Sequence, residues 1–145
     1  MNFWETKTLD QLSKQEWESL CDGCGKCCLN KLETEKPDVY DYTRVGCRLL
    51  DSHTCGCSNY ENRFQYVRGC QQLMPSNIKK FTWLPNTCAY RLVEQGEPLQ
   101  QWHHLVCGDK EQIHNEDMSV RGAVISEEFV HEDSWDEHVI QWVSN

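Results

Sequence analysis

The sequence predicts a small α+β fold with short helices, one β-hairpin and much irregular backbone. Three observations carry this. A capped run of apolar residues at helical spacing lies near the N-terminus. Two β-prone stretches flank a turn-rich linker near residue 35. Nine of ten cysteines fall between residues 21 and 88, four of them in Cys21-Asp22-Gly23-Cys24-Gly25-Lys26-Cys27-Cys28.

The elements follow in chain order. Leu9, Leu12, Trp17 and Leu20 repeat with roughly helical spacing, and Ser13-Lys14-Gln15-Glu16 has the form of a capping box. Helical turns are therefore expected between Leu9 and Leu20, delivering the chain to Cys21. Leu29–Glu33 and Val39–Val45 are the expected hairpin strands, joined through Glu35-Lys36-Pro37-Asp38, with Cys47 just beyond. Asp51–Gly69 shows little periodicity, and Cys55-Gly56-Cys57 sits in loop chemistry. A helix is expected over about Pro85–Gln95, opened by Pro85 and Asn86, with Gly96 at its C′ position and Pro98 after it. Cys88 falls in its first turn, where the positive end of the helix dipole favours a thiolate. His103–His114 is ambiguous. Ser119–Ile125 reads as a strand, and Glu127–Val143 as one or two amphipathic helices in an acidic segment over about residues 126–145. The whole chain, 1–145, is expected to be one domain.

Cysteine is several times more frequent than usual. Disulfides and metal thiolates are the two readings. Met1-Asn2-Phe3-Trp4-Glu5-Thr6-Lys7 includes no signal-length apolar run and carries an early acid. No stretch of about eighteen apolar residues exists, so no membrane span is expected. A reducing cytoplasmic location follows as the expectation, and structural disulfides are rare there. Vicinal Cys27-Cys28 also argues against a disulfide framework. In the knuckle, thiols at i, i+3 and i+6 can face one centre because Gly23 and Gly25 let the backbone fold around it.

The net charge is −9 before any thiolate is counted. Nucleic-acid binding by a free basic surface is therefore not expected. Charge is uneven. Residues 21–70 balance seven bases (Lys26, Lys31, Lys36, Arg44, Arg48, Arg63, Arg68) against seven acids, whereas residues 126–145 hold six acids and no Lys or Arg. The bases are expected to offset thiolate charge, and the acidic segment to be a solvated face.

Four blocks carry a resemblance: Leu20-Cys21-Asp22-Gly23-Cys24-Gly25-Lys26-Cys27-Cys28; Cys47-Arg48-Leu49-Leu50-Asp51; Cys55-Gly56-Cys57-Ser58-Asn59-Tyr60-Glu61-Asn62-Arg63 with Cys70; and Trp83-Leu84-Pro85-Asn86-Thr87-Cys88-Ala89-Tyr90-Arg91-Leu92. Together they resemble the CxxCxxCC cysteine-cluster family, and within it the YcgN-type bacterial branch. The resemblance implies chelation of zinc or iron with no settled biochemical activity. Its cysteine frame implies Cys21, Cys24, Cys27, Cys28, Cys47, Cys55, Cys57, Cys70 and Cys88 as metal ligands and leaves Cys107 outside.

Nine cysteines suit two centres better than one, since zinc and a four-iron cluster each take four thiolates. Adjacent Cys27 and Cys28 point apart in most backbone conformations, so they serve different sites more naturally. Cys21-x2-Cys24-x2-Cys27 has the spacing of a bacterial [4Fe-4S] cluster, but the following Cys-Pro is missing; a zinc knuckle would need a second Cys-x2-Cys pair, also missing. Zinc, in two sites, is the first reading; iron or a [4Fe-4S] cluster is the alternative. His53 is expected on a loop surface. Of His103 and His104, one is expected to be packed and one exposed. His114, His131 and His138 have no ligand spacing, and the six tryptophans read as core or anchoring residues.

Three functions compete: a metal-stapled binding protein that meets a protein partner, an iron–sulfur oxidoreductase or accessory electron-transfer protein, and a metal-handling protein. No nucleotide motif and no clear general base is present, which lowers the enzyme reading.

Overall fold

The structure, a computed structural model, describes residues 2–67 and 70–145. Arg68 and Gly69, at the end of the aperiodic stretch, lie outside the described residues. The described residues form six short helices, α1 (Phe3–Thr6), α2 (Lys14–Ser19), α3 (Arg63–Tyr66), α4 (Ala89–Glu94), α5 (His104–Cys107) and α6 (Gln112–Asn115). Its strands are β1 (Leu29–Glu33), β2 (Tyr40–Gly46) and β3 (Ile125–Ser126), ordered β1-β2-β3. The α+β expectation holds, and irregular backbone dominates.

The N-terminal helical stretch breaks in two. A 3-10 turn covers Leu9–Gln11, and α2 begins only after Ser13. The capping box sets that break: the Glu16 amide donates to Ser13 Oγ at 3.0 Å, and the Ser13 amide donates to Glu16 Oε1 at 2.9 Å. Trp17 and Leu20 then face inward, into a cluster with Ile78, Leu84, Ala89 and Leu99.

The hairpin forms as expected, antiparallel, with Lys31 opposite Tyr42 and Glu33 opposite Tyr40. A bulge at Asn30 shifts the register. Its polar groups are satisfied locally: Thr43 Oγ1 donates to Asn30 O at 2.7 Å, and Asn30 Nδ2 donates to Val45 O at 3.0 Å. Leu29, Tyr42, Cys55, Val120 and Val143 form a second cluster. The cysteine knuckle is therefore the link between two cores, with buried Leu20 at one end and buried Leu29 at the other.

Three expected elements differ. Of Ser119–Ile125 only Ile125 joins a strand, pairing parallel to β2. Val120 instead donates its amide to Cys24 O at 2.9 Å, and a turn closes from Ala123 N to Val120 O. The helix expected from Pro85 starts at Ala89, because residues 85–88 form a turn with the Cys88 amide bonded to Pro85 O. Its end is as expected: Gly96 adopts φ +74°, and the Glu97 amide reaches back to Leu92 O at 2.8 Å. The acidic segment winds as 3-10 helix over Glu127–Phe129 and Glu132–His138 rather than as α-helix. Ser126 and His131 side chains accept amide hydrogens at those starts, which favours short turns. No helix among the described residues is long and apolar enough to cross a membrane.

Candidate metal centre

The knuckle is shaped by its glycines. Gly23 and Gly25 hold φ of +75° and +77°, conformations that side chains with a Cβ resist. Asp22 Oδ1 accepts the Cys24 amide at 3.1 Å, so the loop turns on itself before a 3-10 turn over Lys26–Cys28. Gly25 also lets the loop approach Val120 and Cys55: a Cβ there would stand 2.8 Å from Val120 Cγ2 and 3.1 Å from Cys55 O.

The second cysteine group comes from the end of the hairpin. The Cys47 amide donates to Cys28 O at 2.8 Å, continuing the β1–β2 ladder past Gly46. Leu50 then bridges antiparallel to Cys57, and Ser58 N donates to Leu49 O at 2.6 Å. The intervening tip is held by Asp51, whose carboxylate accepts the His53 and Thr54 amides at 2.8 and 2.9 Å. Cys55 takes φ +64°, an unfavourable value for a non-glycine, and packs in the second core.

Six of the nine sequence-predicted cysteines, Cys21, Cys27, Cys28, Cys47, Cys57 and Cys70, line one cavity of about 1520 Å³. The volume exceeds an ordinary ligand pocket. Cys21 and Cys27 are exposed where they line this cavity. Cys24 is buried and Cys88 half-buried, and neither lines the cavity. Cys107 is exposed on α5, and its thiol donates to the carbonyls of Trp102 and Asp109. Among the described residues no three His, Cys, Asp or Glu side chains already meet as a metal-holding group. The thiols are neighbours rather than a closed coordination shell.

Burial dominates their chemistry. It raises the thiols of Cys21 and Cys24 well above the ordinary range and pushes Cys88 up to about 12. The lowered Cys88 thiol expected from its helix position is thus reversed. The amides of Arg91 and Tyr90 at the start of α4 do favour the thiolate, but desolvation outweighs them. Cys47, Cys55 and Cys70 are raised for the same reason. The adjacent Cys27 and Cys28 thiols act on one another, bringing Cys27 down and raising Cys28.

Cations stand among these thiols. Lys31 Nζ donates to Cys27 O at 3.0 Å and to Leu29 O at 2.5 Å, and lies 4.6 Å from the Trp83 ring centre. Arg63, at the start of α3, stacks 3.8 Å over Tyr60 and opposes the rise of the Cys70 thiol. Sequence reasoning named both only as general charge balance.

The histidines take no part in the thiol grouping. His103 is buried, its Nε2 on Leu20 O at 2.7 Å and its Nδ1 accepting the Leu105 amide, while His104 stacks half-buried on it. His53 is exposed.

A domain described as "Putative zinc- or iron-chelating domain", CxxCxxCC, matches residues 20–89. The chain belongs to the CxxCxxCC cysteine-cluster family. It is similar to UPF0260 proteins from Pseudomonas putida F1 (57% identical, covering 95% of this chain and 93% of the relative), Pseudomonas fluorescens Pf0-1 (54%, 95% and 93%) and Ectopseudomonas mendocina (54%, 95% and 93%). No solved structure matches the chain. The matched span, 20–89, starts one residue before Cys21 and ends one after Cys88.

Proposed function

We propose that the protein binds two metal ions through cysteine thiolates, zinc being the first choice. One observation carries this reading: six of the nine frame cysteines, Cys21, Cys27, Cys28, Cys47, Cys57 and Cys70, line one cavity. Lys26 Nζ, on Thr87 Oγ1 at 3.2 Å, ties the knuckle of Cys21, Cys24 and Cys27 to the turn that carries Cys88. The Cys47 amide on Cys28 O and the Leu50–Cys57 bridge link the backbones that carry Cys28, Cys47 and Cys57, and Cys70 lines the same cavity. The first site is then Cys21, Cys24, Cys27 and Cys88; the second is Cys28, Cys47, Cys57 and Cys70. Adjacent Cys27 and Cys28 are assigned to different centres. Cys70 also has Cys27 within charge contact, so the two centres would lie close together.

The donor set fits the group. Thiolates are soft ligands suited to zinc and iron, and four of them fill a tetrahedral structural site. Closing each shell needs side-chain rotation, and the left-handed glycines of the knuckle supply a loop that can wrap a centre. Cys55 is the one frame cysteine outside both fours; it packs beside Val120 as an apolar residue does. A binding or scaffold role agrees with four-thiolate sites, which leave no open coordination position for chemistry.

An iron–sulfur reading with an electron-transfer role is favoured by one feature, the Cys21-x2-Cys24-x2-Cys27 spacing. Anaerobic elemental analysis with an absorption spectrum tests both. The proposal expects a colourless protein with two zinc ions per chain. A brown protein with iron and inorganic sulfide would replace zinc by the cluster, and a metal-free protein from metal-replete cells would overturn the binding function itself.

A further inference from the structure

Among the described residues, the buried Lys and Arg side chains are Lys26, 3% exposed, and Arg63, 7% exposed. Both lie in the cysteine frame, and Lys31 lines the same cavity as the thiols. None of the three has a carboxylate partner among the described residues. By contrast Lys7, Arg48, Lys79 and Arg121, all more exposed, pair with Glu16, Glu127, Glu94 and Glu111.

Their present partners are neutral. Lys26 Nζ reaches only Thr87 Oγ1, at 3.2 Å, beside Cys88. Lys31 Nζ rests on two backbone carbonyls and the faces of Tyr42 and Trp83. Arg63 donates to Tyr60 O at 2.6 Å and stacks on Tyr60 and Phe64. A buried cation without an anion is strongly unfavourable, so a fold that buries Lys26 and Arg63 and half-buries Lys31 needs negative charge nearby. The thiols can supply it. A divalent ion with four thiolates carries about −2, and two such centres carry about −4. Asp22 and Glu127 add to that field, at Cys21 and Cys47 respectively. The three positions adjoin the cysteines: the Lys26 amide lies 3.4 Å from Cys24 Sγ, Lys31 Nζ is on the Cys27 carbonyl, and Arg63 favours the Cys70 thiolate.

We propose that Lys26, Lys31 and Arg63 are the built-in counter-cations of the metal–thiolate centres. They act as positioning residues that neutralise the loaded site and touch no metal. The inference rests on the thiolate-binding reading above, and it makes the metal-free and loaded proteins respond differently to loss of a cation. Without metal the negative charge of the loaded centres is missing and the ammonium groups are less compensated, so an apolar isostere costs the fold little. With metal the same change strands negative charge.

The test uses the full chain, purified under reducing conditions, with Zn²⁺ alone as probe and a chromophoric chelator as competitor. Lys26→Met and Lys31→Met are each expected to weaken zinc binding about 10–100-fold, the range for residues that support a metal site from outside its shell. Lys31→Arg should restore most of the affinity. Without zinc, both methionine variants should melt no lower than the parent protein; with zinc, both should melt lower. Unchanged zinc affinity in both methionine variants would overturn the inference alone. So would an equal fall in melting temperature with and without zinc, which marks an ordinary structural role. A parent chain that binds no zinc under these conditions would overturn the metal-binding reading first and this inference with it.

Discussion

Replacing Gly25 by Ala tests the knuckle geometry against an internal control, Gly23→Ala. Both glycines hold left-handed backbone, φ +77° and +75°. That conformation costs an alanine about 1 kcal/mol at either position. The two differ in what a new Cβ meets. At Gly23 nothing lies within 4 Å, so the backbone cost is the whole effect. At Gly25 the Cβ would stand 2.8 Å from Val120 Cγ2, 3.1 Å from Cys55 O and 3.2 Å from Cys55 Cβ. One neighbour is a fully buried side chain and another is backbone, so neither yields cheaply. Overpacking of this kind costs about 1–3 kcal/mol, giving about 2–4 kcal/mol in all. For a chain of this size each kcal/mol lowers the melting temperature by about 3–4 °C. Gly25→Ala should therefore lose about 6–16 °C and Gly23→Ala about 3–4 °C, read by thermal unfolding of the metal-free protein in reductant. Equal losses would refute the close approach of the knuckle to the Cys55 loop.

Other outcomes follow from the same geometry. Cys107→Ser should leave metal content unchanged, since the thiol sits on the surface of α5 away from the cavity; elemental analysis of the variant checks it. Stability of the metal-free protein, followed by urea titration, should fall as pH rises above about 8.5, the ordinary thiol value. Burial raises Cys21, Cys24, Cys47, Cys70 and Cys88 in the folded state, so their contribution is fully present below that pH and is lost above it, where the unfolded chain releases protons first. The metal-loaded protein should behave oppositely, losing metal as pH falls by about tenfold in affinity per unit for each protonated ligand; chelator competition between pH 6 and 8 reads the slope, for which these pH values are about the range where thiols compete. Ser13→Ala should cost about 1 kcal/mol in a urea melt, because it removes the acceptor for the Glu16 amide.

Local chemistry made some of this molecule legible in its sequence. The capping box at Ser13, the hairpin around Glu35–Asp38 and the Gly96 helix end each depend on a few adjacent residues, and each forms. Where a long-range contact decides, local pattern misleads. Val120 is β-prone, yet its amide is taken by Cys24 O, and the expected strand shrinks to a bridge beside β2. Cys88 sits where a helix start should lower a thiol, but tertiary burial decides the sign. The knuckle spacing identified Cys21–Cys28 as the centre of interest, while the pairing of Cys28 with Cys47 depends on hairpin register that spacing does not contain. Lys26 and Arg63 were invisible as interior residues, because charged side chains are normally exposed and only the fold shows them buried.

The central claim is that two groups of four cysteines hold two separate metal ions. Metal content per chain, measured anaerobically for the parent protein, Cys88→Ser, Cys47→Ser and the double variant, tests it most directly. The account predicts that each single variant loses one metal ion, a different one in each case, and that the double variant loses both, because a serine hydroxyl stays protonated and binds zinc or iron poorly. A parent protein with one metal ion that either single variant abolishes would contradict the two-site arrangement.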